Sequence, residues 1–367
     1  MLNTETSERQ LVGEFLEVIR GLPDVHADAD LEVRQRGAGG PDRRLDAEID
    51  LRVGGKSVTV LIEAKKTLYP RDAREALWQF RECIREWPKG PKSRQPVPML
   101  IAEAISPGAK QLLRDERVGY YDSGGSLFLP AEGVYLYIDK PPAKSLSKSM
   151  RSLFSGRRAQ VLHALLLAHK EWFKVKALAE RALVSPATAS QVLTELERLD
   201  WVVARGQGPA KERQLREPAA LLDAWVKQLA VTRPLPMRRY FVSSTGTENL
   251  IAKLSRVFAK HGIQYAITHE AAGQRYTPFL TNVSQIRCRA LNSPAVDEAL
   301  RDLGAQTASV GANLTLIDVD SPGELLFREQ IGGVWVASPI QVYLDLSRSE
   351  GRGKELAEHL RRETIGF

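Results

Sequence analysis

From Ser7 onward the apolar residues Leu11, Val12, Phe15, Leu16 and Ile19 recur at helical spacing, which predicts an amphipathic helix over 7–20 with Glu8, Glu14 and Glu17 off its buried face. The period then changes. LDAEIDLRV and KSVTVLIEAKK alternate or run apolar on either side of Gly54-Gly55, a dipeptide that accepts positive φ, and they predict two antiparallel strands joined by a two-residue turn. A helix follows in YPRDAREALWQFRECIREW and a third strand in QPVPMLIAEAIS. A further helix opens at Ser106-Pro107 and leads into another strand, with Asp122 to Gly125 as a turn that Asp122 caps.

The middle of the chain reads as short helices. RRAQVLHALLLAH (157–169) is amphipathic with His163 inside it, a second helix covers about 174–182, and a third starts where Ser185 precedes Pro186 as N-cap and first helical residue. In the third helix Ala189, Val192, Leu193, Leu196 and Leu199 line the buried face. Trp201 to Arg205 then reads as a strand and GQGPAKER as a glycine-bearing loop. Beyond residue 235, strand, helix and strand patterns alternate in RRYFVSS, TENLIAKLSRVFAKHG and IQYAIT, with more strands near 284–290, 314–319 and 334–337. Pro, Ser and Lys cluster from Lys140 to Ser155 and TRPLP occupies 232–236; both read as linkers. The expectation is a mixed α/β chain of three units, about 1–140, 145–220 and 235–367.

A length of 367 residues, 43% of them apolar, suffices for two or three packed domains. The longest apolar run, near Val161 to Ala168, is too short to span a bilayer, and no secretion signal is evident. Two cysteines, Cys83 and Cys288, support neither a disulfide framework nor a Cys-rich zinc site, so a reduced, cytoplasmic setting is expected. The net charge of +7 is concentrated: residues 141–216 hold 14 Lys and Arg against 6 Asp and Glu. A basic middle unit between roughly neutral ones is the footprint of a nucleic-acid binder.

On the hairpin, Glu63 and Lys65 lie two apart on one strand and therefore share a face, and cross-strand pairing is expected to bring Asp50 beside them. Two carboxylates and an ammonium in one patch suit metal-assisted phosphodiester hydrolysis. Asp50 and Glu63 would hold Mg²⁺ (or Mn²⁺) through oxygen, and Lys65 would orient or deprotonate water. The plainer reading is an ordinary surface ion pair. The order helix, hairpin, helix, strand, with Asp50, Glu63, Lys65 and the helix residue Gln79, resembles the PD-(D/E)XK nuclease superfamily over residues 8–140. The resemblance implies a restriction-endonuclease-like fold, with Asp50 and Glu63 as metal-binding acids, Lys65 as the catalytic lysine and Gln79 as a supporting glutamine. It also implies an acidic residue on the first helix, Glu14, with Glu8 and Glu17 competing for that place.

The basic unit resembles a winged helix-turn-helix. Thr188, Ser190, Gln191, Thr194 and Arg198 would face base edges in the major groove, and Arg205, Lys211 and Arg213 would touch phosphates from the wing. The alternative is a solvated face of a protein-interaction domain. In the C-terminal unit Asp318 and Asp320 read as turn formers before Ser321-Pro322-Gly323 rather than as a metal pair. YAITHEAA, VASPIQVYLDL and GRGKELAEHLRR resemble the C-terminal regions of type IV, abortive-infection antitoxins. That resemblance spans about 150–367 and implies a nucleotidyltransferase-like layer without the residues for transfer. Double-stranded DNA is the expected partner, with a cognate toxin and a homodimer as further expectations. The two readings are a DNA-cleaving enzyme and a transcriptional regulator whose nuclease-like domain is silent.

Overall fold

The computed structural model describes residues 2–28, 45–85, 87 and 95–367, with side chains described from residue 8. The chain forms two compact units, one of residues 1–150 with 195–200, the other of 151–194 with 201–367. Both are mixed α/β. Among the described residues no helix is long and apolar enough to cross a membrane.

The first unit runs α1 (Leu2–Arg20), β1 (Val25–Asp28), β2 (Ala47–Val53), β3 (Lys56–Leu68), α2 (Pro70–Arg85), β4 (Val97–Ile105), α3 (Pro107–Asp115), β5 (Gly119–Asp122), β6 (Leu127–Ala131) and β7 (Val134–Ile138). Its seven strands lie side by side in chain order. β3, β4 and β5 are parallel neighbours, and antiparallel pairs flank them on both sides. The parallel steps are bridged by α2 and α3, as parallel strands require a crossover. The period of two then sorts the apolar residues onto two faces. Val58, Val60, Ile62 and Ala64 of β3 join Leu11, Phe15 and Ile19 of α1 in one core, while Leu61 joins Ala73, Leu77 and Phe80 of α2 in the other. Glu63 and Lys65 share the α2 face, beyond Leu61.

The turn between β2 and β3 is the expected one, with φ of 54° at Gly54 and 80° at Gly55. The stretch expected as a linker after Lys140 is instead largely helical, α4 (Lys144–Leu153). Its Leu146 and Leu153, seven apart, share one face and are buried, a helical signal that the Pro, Ser and Lys composition masks. TRPLP is irregular, as expected.

The second unit contains α5 (Gly156–Leu167), α6 (Val175–Arg181), most of α7 (Pro186–Arg198), β8 (Val202–Arg205), β9 (Glu212–Leu215) and α8 (Pro218–Ala230). It continues with β10 (Met237–Phe241), α9 (Thr247–Lys260), β11 (Tyr265–Thr268), α10 (His269–Tyr276), β12 (Ile286–Leu291), α11 (Pro294–Leu303), β13 (Gln306–Thr307), β14 (Leu314–Val319), β15 (Glu329–Ile331), β16 (Val334–Val336), α12 (Pro339–Leu346) and α13 (Arg352–Leu360). A second seven-stranded sheet has the order β13-β10-β14-β12-β11-β16-β15, and β8 pairs with β9 as a separate ribbon. The helices α5 to α7 and that ribbon follow the order expected of a winged helix. His163 on α5 is buried, shares a 2.6 Å hydrogen bond with Ser338 at the start of α12, and lies 4.7 Å, centroid to centroid, from the Phe327 ring. That packs α5 against the α/β layer.

Candidate functional site

The hairpin register decides which acid comes to the Glu63 end of the ladder. Val53 faces Lys56 across the two-residue turn, and Ala47 faces Ile62 at the far end. One residue outside the ladder, Asp46 lies at a bend beside residues 62–64 of β3. The Asp46 amide donates to the Ile62 carbonyl at 3.0 Å, and its Oδ2 accepts from the Ala64 amide at 2.7 Å. Asp50 faces Thr59, whose hydroxyl donates to Oδ1 at 2.6 Å. It is exposed and lies four residues, about 13 Å, along β2 from Asp46. The expectation that Asp50 joins the site is therefore corrected: it shares the face but sits toward the wrong end of the strand, and Asp46 takes its place.

Glu63 is 6% exposed. Lys65 Nζ lies 2.6 Å from its Oε1. With the Gln79 amide turned so that its nitrogen faces the carboxylate, Nε2 donates to Oε2 at 2.7 Å and to Oε1 at 3.1 Å. Gln79 takes this position because Ala73, Ala76, Leu77 and Phe80 seat α2 on the sheet, leaving position 79 on the shoulder of that buried face beside β3. Glu63, Lys65 and Gln79 are thus brought together as the sequence reading had them.

Burial raises the Asp46 carboxyl above its ordinary range, partly offset by the Ala64 amide and by the charge of Lys65. For Lys65, burial pulls downward, but its bond to Glu63 and the charges of Glu63, Asp46 and Glu8 outweigh it and raise the amine above its ordinary value. The raised value keeps Lys65 an ammonium at neutral pH, the form that orients and neutralises charge. On α1 it is Glu8 whose charge reaches Lys65. Glu14 turns elsewhere, accepting from Ser123 Oγ at 3.0 Å, so its expected place in the site falls to Glu8. Asp46 and Glu63 are hard oxygen donors at the same end of the hairpin, residue types that fit Mg²⁺ or Mn²⁺. Among the described residues no three His, Cys, Asp or Glu side chains cluster as a metal-holding group.

On α7, the Thr188 amide donates to Ser185 Oγ at 3.1 Å, and the two hydroxyls lie 2.9 Å apart, so Thr188 belongs to the N-cap. Gln191, Thr194 and Arg198 are exposed, while Ser190 is half-buried and its carbonyl accepts from the Thr194 hydroxyl at 2.9 Å. The ribbon departs from expectation. Arg213 is 8% exposed and lies in the ladder to Phe173, so it is no surface phosphate contact. Arg205 donates to Glu212 Oε2 at 2.9 and 2.7 Å and stands 4.2 Å from the Trp172 ring centroid. Lys211 is half-buried. The Trp172 partnership was invisible to a reading that took the wing as a free loop.

In the second sheet Asp318 lies within β14, where Arg238 holds its carboxylate from Nε at 3.0 Å and Nη2 at 2.7 Å; it is a structural acid, not a turn former. Asp122 does cap its turn, accepting from the Ser126 amide at 3.1 Å, and it also pairs with buried Lys110 at 2.8 Å. No family model, curated protein or solved structure matches the chain.

Proposed function

We propose that the protein hydrolyses phosphodiester bonds in DNA at the patch formed by Asp46, Glu63, Lys65 and Gln79, and that the α5–α7 segment with its ribbon brings it to duplex. The observation that carries this reading is the Glu63 carboxylate held between the Lys65 ammonium and Gln79 from α2, with Asp46 bound to the neighbouring Ala64 amide. Asp46 and Glu63 would hold the divalent ion, which when bound supplies charge to polarise the scissile phosphate. Lys65, kept protonated by its acidic neighbours, offsets the negative charge that builds on phosphate oxygens. Gln79 orients the Glu63 carboxylate. Helix α7 presents Gln191, Thr194 and Arg198 outward, residue types that reach base edges and phosphates.

The test is incubation of supercoiled plasmid, and of a single-stranded circle, with purified protein in Mg²⁺ or Mn²⁺, alongside Asp46→Asn, Glu63→Ala and Lys65→Ala. The expected result is metal-dependent nicking by the wild type alone. A protein that binds DNA but leaves both the plasmid and the single-stranded circle intact in either metal overturns hydrolysis and leaves binding as the activity.

A further inference from the structure

Helix α2 carries Gln79 on its shoulder and a different pattern on its outward side. At about 100° per residue, Arg71, Arg74, Trp78, Arg81 and Arg85 fall within an arc of about 80°, opposite the face buried by Ala73, Ala76, Leu77 and Phe80. Trp78 is 59% exposed. The arginines have carboxylates in reach: Glu197 at 3.5 Å from Arg71, Asp200 at 2.6 Å from Arg74, Glu116 at 2.8 Å from Arg81 and Glu82 at 3.0 Å from Arg85. Each arginine side chain nonetheless keeps more than half of its surface in water, and pairs of that kind are weak and yield to a polyanion. A core has no use for an indole in water, and solvation needs no tryptophan among arginines. Cations spaced along about 21 Å of helix match about six phosphates of one strand, and the flat ring among them offers a face to an unpaired base.

We infer that the outward side of α2 is a track for a nucleic-acid strand with unpaired bases, one of which stacks on Trp78, so that the substrate is single-stranded, gapped or flapped DNA rather than plain duplex. This rests on the hydrolase reading in that the track and Gln79 lie on the same helix, which packs beside β3, the strand carrying Glu63, so that nucleic acid held on α2 is delivered to that patch. Arginine forks grip successive phosphates, and stacking favours a strand whose base is free to turn outward. A duplex offers the same phosphates but keeps its bases stacked on each other.

Fluorescence anisotropy in EDTA, where no cleavage occurs, reads the track directly. The probes are a labelled single strand of about 20 nucleotides and the same sequence as a blunt duplex, a length that exceeds the track. Trp78→Ala, at an exposed position that leaves the core untouched, is expected to weaken single-strand binding at least about fivefold and duplex binding by less than about twofold. Arg81→Gln with Arg85→Gln is expected to lower the log-log salt slope for the single strand by about 1.4. Unchanged single-strand affinity in Trp78→Ala, or an unchanged slope in the double variant, overturns the track. So does a Trp78→Ala variant that loses only self-association in sedimentation, which would make the patch a protein contact. A protein that binds single strands through Trp78 but never nicks overturns the hydrolase reading alone. One that nicks while Trp78→Ala binds normally overturns the track alone.

Discussion

Asp46 reaches across the end of the β2–β3 hairpin to Ala64, the neighbour of Glu63, whose amide donates to its Oδ2 at 2.7 Å. Asp46 comes to the Glu63 end of the ladder because a two-residue turn fixes the register of the strands beyond it. Residues 17 positions apart in sequence are thereby placed at the same end of the hairpin. Lys65 adds its ammonium from two residues further along β3, and α2 closes the patch with Gln79.

The first consequence separates two acids that look alike in sequence. Asp46→Asn is expected to weaken Mn²⁺ binding to the DNA-free protein at least about tenfold in calorimetry, the loss of one charged contact worth about 1.5 kcal/mol or more. Asp50→Asn should bind as wild type does, since Asp50 faces Thr59 and solvent. Equal weakening in both variants would return Asp50 to the site.

Lys65 gives a pH signature of definite sign. Its folded-state amine titrates above the ordinary 10.5, so the stabilisation from pairing with Glu63 is fully present below that value and is lost as pH rises through the raised one. Lys65→Met should therefore differ most from wild type in melting temperature near neutral pH, with the gap closing above pH 10.5. Between pH 6 and 9 the nicking rate should show no ionisation that Lys65→Arg displaces. A break in that range which moves in the arginine variant would make Lys65 a base.

Much of this arrangement was legible. Gly54-Gly55 announced the turn, and counting outward from Val53 and Lys56 places Asp46, not Asp50, at the Glu63 end of the hairpin; alternation alone could not choose among Asp46, Glu48 and Asp50. Gln79 was legible from the apolar positions of α2. Other features depend on pairings distant in sequence. Nothing near Arg213 marks it as buried, because its partner strand residue Phe173 is forty positions away. His163 reads as an interior histidine, yet its bond to Ser338 joins residues 175 apart. Helix α4 was hidden by a composition typical of linkers, although Leu146 and Leu153 keep helical spacing.

Arg289 and Asp345 form a buried pair, with Nε at 2.9 Å from Oδ2 and Nη2 at 2.7 Å from Oδ1, and Gln341 donates to the same carboxylate at 2.9 Å. Removing one partner leaves an uncompensated charge in the core. Asp345→Ala is expected to destabilise the chain by about 3–5 kcal/mol in urea denaturation, whereas Arg289→Met with Asp345→Leu should recover most of the loss. If the double variant is as unstable as the single, the pair is worth more than its desolvation.

His163 makes acid a specific threat to the second unit. Burial, helped by the charge of Arg289 and opposed by that of Asp345, pulls its imidazole down to about 3 from an ordinary 6.5. The unfolded chain takes up a proton below 6.5 that the folded chain refuses until about 3. Stability is thus intact above 6.5 and falls across that window, by up to about 5 kcal/mol in all and about 1.4 kcal/mol per pH unit at most. Protonation would also break the neutral packing against Phe327 and Trp225 that seats α5. His163→Gln, which keeps a polar partner for Ser338, should flatten the dependence of unfolding free energy on pH between 6 and 4 by about one proton's worth. Buried His269, held down to about 4 mainly by burial, supplies the slope that remains. If His163→Gln retains the full wild-type slope, the acid sensitivity belongs to His269 and the carboxylates instead.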